Sequence, residues 1–232
     1  MPIMRKYTTL LIDADDTLLD FAKAESRSIR LTCEEFGISF SAEIGQAYSR
    51  INDSLWKQLE KGTITRGEIR TRRFVEFVKH LGVSADPIAM ADKYITLLSE
   101  SGDIIDGADR LCEKLSHQYD LYMVTNGTTW VQKKRLARSN IMPYFKGCFI
   151  SEEMGTSKPA KIFFDKVFEK IGLDDLTKVC IIGDSLSSDI KGGINAGIDT
   201  CYFGKRQNDL CPCPTYIAKT FDEITELFCH EE

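Results

Sequence analysis

One stretch decides the fold of this chain, and it reads Leu10-Leu11-Ile12-Asp13-Ala14-Asp15-Asp16-Thr17-Leu18. Its aliphatic start, taken with the residues from Tyr7 onward, predicts a buried strand, and its end is an acidic turn. Asp13 and Asp15 are two residues apart, a spacing that in extended backbone directs both side chains to one side. Ligands of open α/β sheets bind beyond the carboxyl ends of the strands, so this turn is the first candidate site.

The carboxylates of this turn repel one another unless a cation holds them. Asp13, Asp15 and Asp16 offer oxygen atoms only, and hard oxygen ligands favour Mg²⁺. The turn therefore predicts a magnesium site. An acidic surface turn without a function is the alternative that this motif leaves open when it is taken alone.

The sequence after the turn has a helical pattern. From about Phe21 to Ser101 apolar residues recur at helical spacing, and the pattern breaks at Gly62 and at Asp86-Pro87. This predicts a bundle of about four helices. After Gly107 helical and strand patterns alternate, which is typical of a parallel sheet covered by helices on both faces. The bundle is then an insertion after the first strand of an α/β core.

The alternation after Gly107 predicts five further strands and five helices. The strands are expected at residues 121–124, 148–150, 179–182 and 200–203, with a short strand near Ile217. The first helix is expected to end at Leu115, and the others are expected at residues 131–139, 162–171, 190–196 and 221–228.

Three further polar motifs accompany these predicted strands. Thr125-Asn126-Gly127 follows one strand, Lys158-Pro159 precedes a helix after another, and Gly183-Asp184 with Asp189 follows a third. Taken singly, each is an ordinary turn or a solvated lysine before a helix. Their order and their placement at strand ends favour a shared site at one edge of the sheet.

With these motifs the chain resembles the haloacid dehalogenase-like (HAD) hydrolases over essentially its whole length. The four motifs of that family match Asp13-Ala14-Asp15-Asp16-Thr17, Thr125-Asn126, Lys158-Pro159 and Gly183-Asp184 with Asp189. The resemblance implies a three-layer, Rossmann-like parallel-sheet core formed by residues 1–18 and 103–232. The helical insertion, residues 19–102, resembles the C1-type cap domain of the family.

A finer resemblance is to the bacterial pyrimidine 5'-nucleotidases, the YjjG-like proteins. It rests on four segments, which are Leu55-Trp56, Gly62-Thr63-Ile64-Thr65, Arg73-Phe74 and Gly192-Gly193-Ile194-Asn195-Ala196-Gly197. The first motif, in which Asp16 replaces the more usual Gly, belongs to the same resemblance. This resemblance implies nucleoside 5'-monophosphates as substrates, with pyrimidine nucleotides preferred.

The chemistry of the motif residues agrees with a phosphate-monoester hydrolase. A carboxylate that attacks phosphorus forms an aspartyl-phosphate, and Asp13 is placed for that role. Asp15 is expected to act first as the general acid and then as the general base. Lys158 is expected to neutralise charge on the phosphoryl group, and the loop Thr125-Asn126-Gly127 is expected to donate hydrogen bonds to it.

The resemblance also implies the metal ligands. Mg²⁺ is expected to bind Asp13, the backbone carbonyl of Asp15, and Asp184. Asp189 and Ser185 are expected to surround this metal without binding it directly. For Asp189, stabilisation of a helix N-terminus is an alternative role.

Three cap residues are candidates for contact with the substrate. Trp56, Arg73 and Phe74 could stack on a nucleobase, since aromatic rings and guanidinium planes do so. A place in the core or on the solvated surface of the cap is the alternative for residues at helical spacing. Phe21, Trp130 and Gln132, near the motif loops, carry the same two interpretations.

Composition limits the partners of the chain. With 232 residues, 43% of them hydrophobic, and a net charge of -5, it lacks the basic character that nucleic acid or an anionic membrane would favour. The eight scattered cysteines are expected to be reduced, and Cys211 and Cys213 lack the further ligands of a zinc site. The sequence thus predicts a cytoplasmic enzyme, monomeric or homodimeric, with a small phosphorylated metabolite as substrate.

Several alternatives use similar residues. A haloacid dehalogenase shares the nucleophile but has no alkoxide to protonate, so Asp15 favours a phosphatase. A sugar-phosphate phosphatase or a phosphomutase remains open on the same core. A receiver-like signalling domain also phosphorylates an Asp, but it is smaller and has no helical insertion after the first strand.

Overall fold

The computed structural model describes residues 6–204 and 211–229. The chain divides into two compact units. One is the helical unit, Phe21–Asp103, and the other is the sheet unit, which contains the chain up to Asp20 and from Ile104 onward. The acidic turn and all three later motifs belong to the sheet unit.

The sheet unit is built on six parallel strands in the order β3-β2-β1-β4-β5-β6. Their bounds are Thr9–Ile12 (β1), Asp120–Thr125 (β2), Gly147–Ile150 (β3), Val179–Gly183 (β4), Asp199–Phe203 (β5) and Tyr216–Ala218 (β6). β1 lies in the middle, with Leu10 aligned to Leu121 of β2 and to Cys180 of β4. The predicted parallel α/β sheet is confirmed, and the order places the ends of β2, β1 and β4 side by side.

Alternate residues of the strands pack on opposite faces of the sheet. Leu10 and Ile12 belong to one hydrophobic cluster, whereas Leu11 belongs to another. All three side chains are buried, as expected for a central strand covered on both faces. The sheet therefore forms the middle of three layers.

Five of the six described helices of the sheet unit lie close to their predicted positions, and the short helix that follows β3 was not predicted. They are α5 (Ala108–Ser116), α6 (Thr129–Ser139), α7 (Ser151–Met154), α8 (Lys161–Ile171), α9 (Lys191–Ala196) and α10 (Phe221–Phe228). The largest difference lies after β4, where a π-helical turn, Leu186–Ile190, precedes α9. Such turns are frequent at functional sites, and this one carries Asp189.

The helical unit contains the four expected helices. They are α1 (Phe21–Glu35), α2 (Ala42–Glu60), α3 (Arg66–Leu81) and α4 (Pro87–Ser99). The residues before α2 and α4 explain two of the starts: the Ser41 and Asp86 side chains accept hydrogen bonds from backbone N–H groups of the first turn. The interior of the unit is an aromatic cluster of Tyr48, Phe74, Phe77 and Tyr94.

The cysteines and the helix compositions bear on the predictions drawn from composition. All eight cysteines lie in the described residues as free thiols, and Cys211 and Cys213 are exposed. Within the same residues the one cluster of three or more metal-binding side chains is acidic and does not include these two cysteines. Among the described helices, none combines the length and the apolar character that a membrane span requires.

Candidate active site

Lys158 is the centre of the candidate site. Its ammonium Nζ lies 2.5 Å from Asp13 Oδ1 and 2.6 Å from Asp189 Oδ1, and it donates a third hydrogen bond to the Val124 carbonyl at 2.8 Å. The side chain is 1% exposed. Burial lowers the pKa of Lys158, but the two carboxylates outweigh it and the pKa is raised overall. A permanent positive charge therefore lies beside Asp13.

Asp189 holds both Lys158 and the loop after β4. Its Oδ1 accepts from Lys158, and its Oδ2 accepts from the backbone N–H of Ser185 at 3.1 Å. A Cβ on Gly183 would lie 2.3 Å from Oδ2, so the glycine of this motif makes room for the carboxylate. Asp189 therefore has a buried partner in Lys158, and its predicted place around the metal stays a prediction. Ser185 contributes its backbone N–H group, which donates to Asp189.

Asp13, Asp184 and Asp189 form an acidic cluster. Each has a carboxylate oxygen within 4.8 Å of the others. The Thr17 hydroxyl donates to Asp13 Oδ2 and Asp184 Oδ1, both at 3.3 Å, and accepts from the Asp184 N–H at 3.1 Å. Thr17, which the sequence analysis did not single out, therefore ties the acidic turn to the end of β4.

The electrostatics of this cluster favour a bound cation. Burial, and after it the charges of neighbouring carboxylates, raise the pKa of Asp184 to about 9. Burial also raises the pKa of Asp13, with Asp189 and Asp15 adding to the effect and Lys158 opposing it. Ionisation of both Asp13 and Asp184 is thus costly unless a cation binds in addition to Lys158. Oxygen ligands at this spacing fit Mg²⁺, and Asp13 and Asp184 are two of the three predicted ligands.

Asp15 has different neighbours. Arg135 of α6 donates from Nη1 to Asp15 Oδ1, and Gln132 donates from Nε2 to Asp15 Oδ2 at 2.8 Å. The Asp15 side chain is 28% exposed, whereas Asp13 is buried. Two carboxyl groups two residues apart therefore have separate environments, a condition for separate chemical roles.

The loop after β2 is held by its own side chains. The Thr125 hydroxyl accepts from Gln132 Nε2 at 2.8 Å and from the Gly127 N–H at 3.1 Å. A hydroxyl that accepts two hydrogen bonds keeps its own hydrogen for donation. The Asn126 amide bonds the backbone of Lys158 in both directions, at 2.9 and 3.0 Å. Asn126 thus fixes the segment that carries Lys158.

The predicted cap residues lie in the helical unit. Arg73 is buried, donates to Asn52 Oδ1 at 3.0 Å and has its guanidinium 4.8 Å from the Tyr94 ring centroid. Phe74 belongs to the aromatic cluster. These contacts favour the core alternative for both residues. Trp56 is half-buried, with the Arg66 guanidinium 5.5 Å from its ring, and its contact with a substrate stays a prediction.

Sequence reasoning did not identify Arg135, and it left Gln132 undecided. Both lie on the buried face of α6 with Val131, Leu136 and Ser139. A charged residue among the apolar positions of an amphipathic helix is the signal that could have found Arg135.

Comparison with known proteins agrees with this geometry. The family model described as haloacid dehalogenase-like hydrolase matches residues 7–197. The HAD-hydrolase YfnB of Bacillus subtilis is 42% identical over 95% of both chains. Its crystal structure, described as bound to magnesium, has a TM-score of 0.91 and covers 97% of this chain and 100% of its own.

Two further relatives have named activities. The pyrimidine 5'-nucleotidase PynA of Streptococcus pneumoniae is 37% identical over 95% of this chain and 94% of its own. The pyrimidine 5'-nucleotidase YjjG of Escherichia coli is 31% identical over 97% of this chain and 99% of its own.

Proposed function

The chain belongs to the haloacid dehalogenase-like hydrolases, and we propose that it is a phosphate-monoester hydrolase that acts on nucleoside 5'-monophosphates, pyrimidine nucleotides first. The observation that carries the reaction class is the separation of Asp13 from Asp15. Asp13 is buried against Lys158, while Asp15 is more exposed and bound by α6. Membership in a hydrolase family also removes the receiver-like alternative.

In the proposed reaction Asp13 is the nucleophile. One of its carboxylate oxygens attacks phosphorus, a P–O bond to Asp13 forms, and the P–O bond to the ester oxygen breaks. Lys158, 2.5 Å from Asp13 Oδ1, orients this carboxylate and neutralises charge on the phosphoryl group. The raised pKa of Asp13 means that binding of positive charge promotes its ionised, nucleophilic form.

Asp15 transfers protons in both halves of the reaction. Its carboxyl group gives a proton to the leaving alkoxide, and the resulting carboxylate then takes a proton from the attacking water. The water oxygen bonds to phosphorus, the P–O bond to Asp13 breaks, and inorganic phosphate leaves. Thr125 supplies a hydroxyl hydrogen for a phosphoryl oxygen, with the backbone N–H of Asn126 as a second donor.

Mg²⁺ fits the acidic cluster as the resident cofactor. Asp13 and Asp184 would hold it together with the backbone carbonyl of Asp15, and Asp189 would hold Lys158 and the Ser185 loop beside it. When bound, the ion would neutralise charge on the phosphoryl oxygens. The assignment is supported by the spacing of the three carboxylates, and by the burial that raises the pKa of Asp13 and Asp184.

The substrate class is supported by the relatives. Two proteins with 37% and 31% identity are named pyrimidine 5'-nucleotidases and match nearly their full length. A sugar-phosphate phosphatase on the same core is the second candidate, and a phosphomutase the third. A phosphomutase would return phosphate to a sugar phosphate and release little of it.

The deciding experiment measures phosphate release with Mg²⁺ over nucleoside monophosphates, sugar phosphates and p-nitrophenyl phosphate. We expect release in every class, with pyrimidine nucleotides highest in kcat/KM. Asp13→Asn should fold normally and retain less than about a hundredth of the activity, since a positioned catalytic group usually contributes at least about a hundredfold. Substantial activity in Asp13→Asn, or full activity in EDTA, would contradict the mechanism.

The same panel separates the substrate candidates. Sugar phosphates that exceed every nucleotide would replace the nucleotidase proposal and leave the phosphatase standing. Transfer of phosphate between sugar positions without release would indicate the phosphomutase.

A further inference from the structure

Arg135, Gln132 and Asp15 form a closed ring of hydrogen bonds. Arg135 Nη1 donates both to Asp15 Oδ1 and to Gln132 Oε1, the latter at 3.1 Å, and Gln132 Nε2 donates to Asp15 Oδ2 at 2.8 Å. The three side chains come from two places in the sheet unit, the acidic turn after β1 and one face of α6. Both oxygens of the Asp15 carboxylate are thus bound by the same helix.

We propose that Arg135 and Gln132 are positioning residues that hold the Asp15 carboxyl group in the orientation needed to protonate the leaving oxygen. This proposal rests on the phosphatase function proposed above. Neither side chain is assigned a contact with substrate. They act through Asp15, by limiting rotation of its carboxyl group.

Burial of Arg135 supports its role in positioning Asp15. The Arg135 side chain is 1% exposed, and an ion of this size is costly to bury unless it is paired and hydrogen-bonded. Asp15, at 28% exposed, keeps an accessible side while its partner lies in the interior. Because Arg135 binds Oδ1 and Gln132 binds Oδ2, rotation of the Asp15 carboxyl group is restricted. Proton transfer depends on a fixed alignment of this group.

Gln132 provides the second argument because it joins two parts of the site. Its Nε2 donates to Thr125 Oγ1 as well as to Asp15 Oδ2, both at 2.8 Å. It therefore links Asp15, the proposed acid, to Thr125, the proposed hydrogen-bond donor to the phosphoryl group. Loss of the Gln132 amide would remove a hydrogen bond from both groups at once.

Gly127, the motif glycine after β2, also supports the positioning role of Gln132. A Cβ on Gly127 would lie 2.3 Å from Gln132 Cγ and 2.8 Å from Gln132 Nε2. Gly127 thus leaves the space through which the Gln132 side chain reaches Thr125 and Asp15. The glycine of this motif is explained by a side chain that comes from outside the motif.

A purely structural role is the competing explanation, and leaving-group dependence separates the two. The leaving group of an alkyl phosphate such as uridine 5'-monophosphate must be protonated to depart as an alcohol. The p-nitrophenolate ion departs from p-nitrophenyl phosphate without a proton. Loss of a positioned acid therefore affects the alkyl ester more. The comparison uses kcat/KM, which includes steps only up to loss of the leaving group and excludes hydrolysis of the aspartyl-phosphate.

The variants are Gln132→Leu and Arg135→Met, with Arg138→Met as the matched control on the exposed face of α6. We expect kcat/KM for uridine 5'-monophosphate to fall about ten- to a hundredfold more than for p-nitrophenyl phosphate, part of the usual contribution of a general acid. The control variant should leave kcat/KM unchanged for both substrates. Thermal unfolding checks that each variant is folded, and if Arg135→Met is not, Gln132→Leu decides.

Equal losses on both esters in a folded variant would show that the ring only supports the fold and would overturn the proposal. This result differs from failure of the proposed function. If wild-type protein releases phosphate from neither ester, the phosphatase assignment itself is wrong, and the positioning role falls with it.

Discussion

Lys158 and Asp189 form an ion pair in the interior of the sheet unit, with Nζ 2.6 Å from Oδ1 and both side chains 1% exposed. Lys158 also contacts the proposed nucleophile, Asp13. The lysine therefore compensates two buried carboxylates at once. Removing it would leave both without their nearest cation.

We predict that Lys158→Met abolishes phosphate release and lowers the free energy of unfolding by about 3–5 kcal/mol at pH 8, the usual cost of breaking a buried pair. Without the lysine the pKa of Asp13, already raised by burial, must rise further, so the folded protein binds more protons than the unfolded one. The deficit relative to wild type should therefore shrink as the pH falls from 8 to 5.

Urea unfolding in EDTA at the two pH values measures this deficit. In the wild type the pKa of Lys158 is raised, so its contribution is complete below its unfolded pKa and constant over this range. Lys161→Met, in the exposed pair with Asp165, is the control and should show no pH-dependent deficit. A deficit of the same size at both pH values would show that the carboxylates do not depend on Lys158.

Asp184→Asn should stabilise the metal-free protein. The pKa of Asp184 is raised to about 9, mainly by burial, so its ionised form costs stability above the unfolded pKa and the cost grows toward pH 9. Removing the charge should raise the midpoint of thermal unfolding in EDTA by about 2–4 °C for each kcal/mol of cost. Phosphate release should be lost.

The change in thermal midpoint on adding Mg²⁺ tests whether Asp184 binds the ion. A ligand that binds only the folded protein raises its midpoint, so the wild type should gain stability with added Mg²⁺ and Asp184→Asn should gain little. Asp174→Asn, at an exposed carboxylate, should behave as wild type. An undiminished response to Mg²⁺ in Asp184→Asn would place the ion elsewhere.

Asp16→Gly should be more stable than Asp16→Ala by about 1 kcal/mol, and phosphate release should continue in Asp16→Gly. Asp16 has a φ of 58°, a left-handed conformation that glycine adopts without steric cost, and its charge contributes to the raised pKa of Asp184. Asp16→Asn removes the charge and keeps the side chain, so it separates the two effects. Asn140→Gly, at a φ of 60°, tests backbone relief away from the acidic cluster. Equal stability of Asp16→Gly and Asp16→Ala would show that the left-handed backbone carries no steric cost.

Trp56→Ala tests the remaining cap prediction. If Trp56 stacks on the base, kcat/KM for nucleotides should fall about ten- to a hundredfold, and that for p-nitrophenyl phosphate should change little. Phe74→Leu, in the aromatic cluster, is the comparison for general loss of packing. Similar losses on both substrates for Trp56→Ala would mean that this residue supports packing with Leu55 and Ile64.

The sequence by itself determined the strands and helices in their chain order, except the short helix α7 and the π-helical turn before α9. Strand β1, the four-helix insertion and the alternation after Gly107 all follow from local periodicity, which depends on neighbouring residues only. Motif positions at strand ends were also enough to bring Asp13, Lys158 and Asp184 to one edge, because parallel strands end on the same side.

Tertiary structure alone decided which side chains meet. Arg135 bonds a carboxylate 120 residues away, and Asp189 pairs with a lysine 31 residues away. Arg73, a stacking candidate from its sequence, turned out to be buried beside Asn52 and Tyr94. Periodicity shows that a helical face is buried, but not which distant element covers it. The partner of a buried charge depends on that packing, since burying the charge without its partner costs more than the fold can supply.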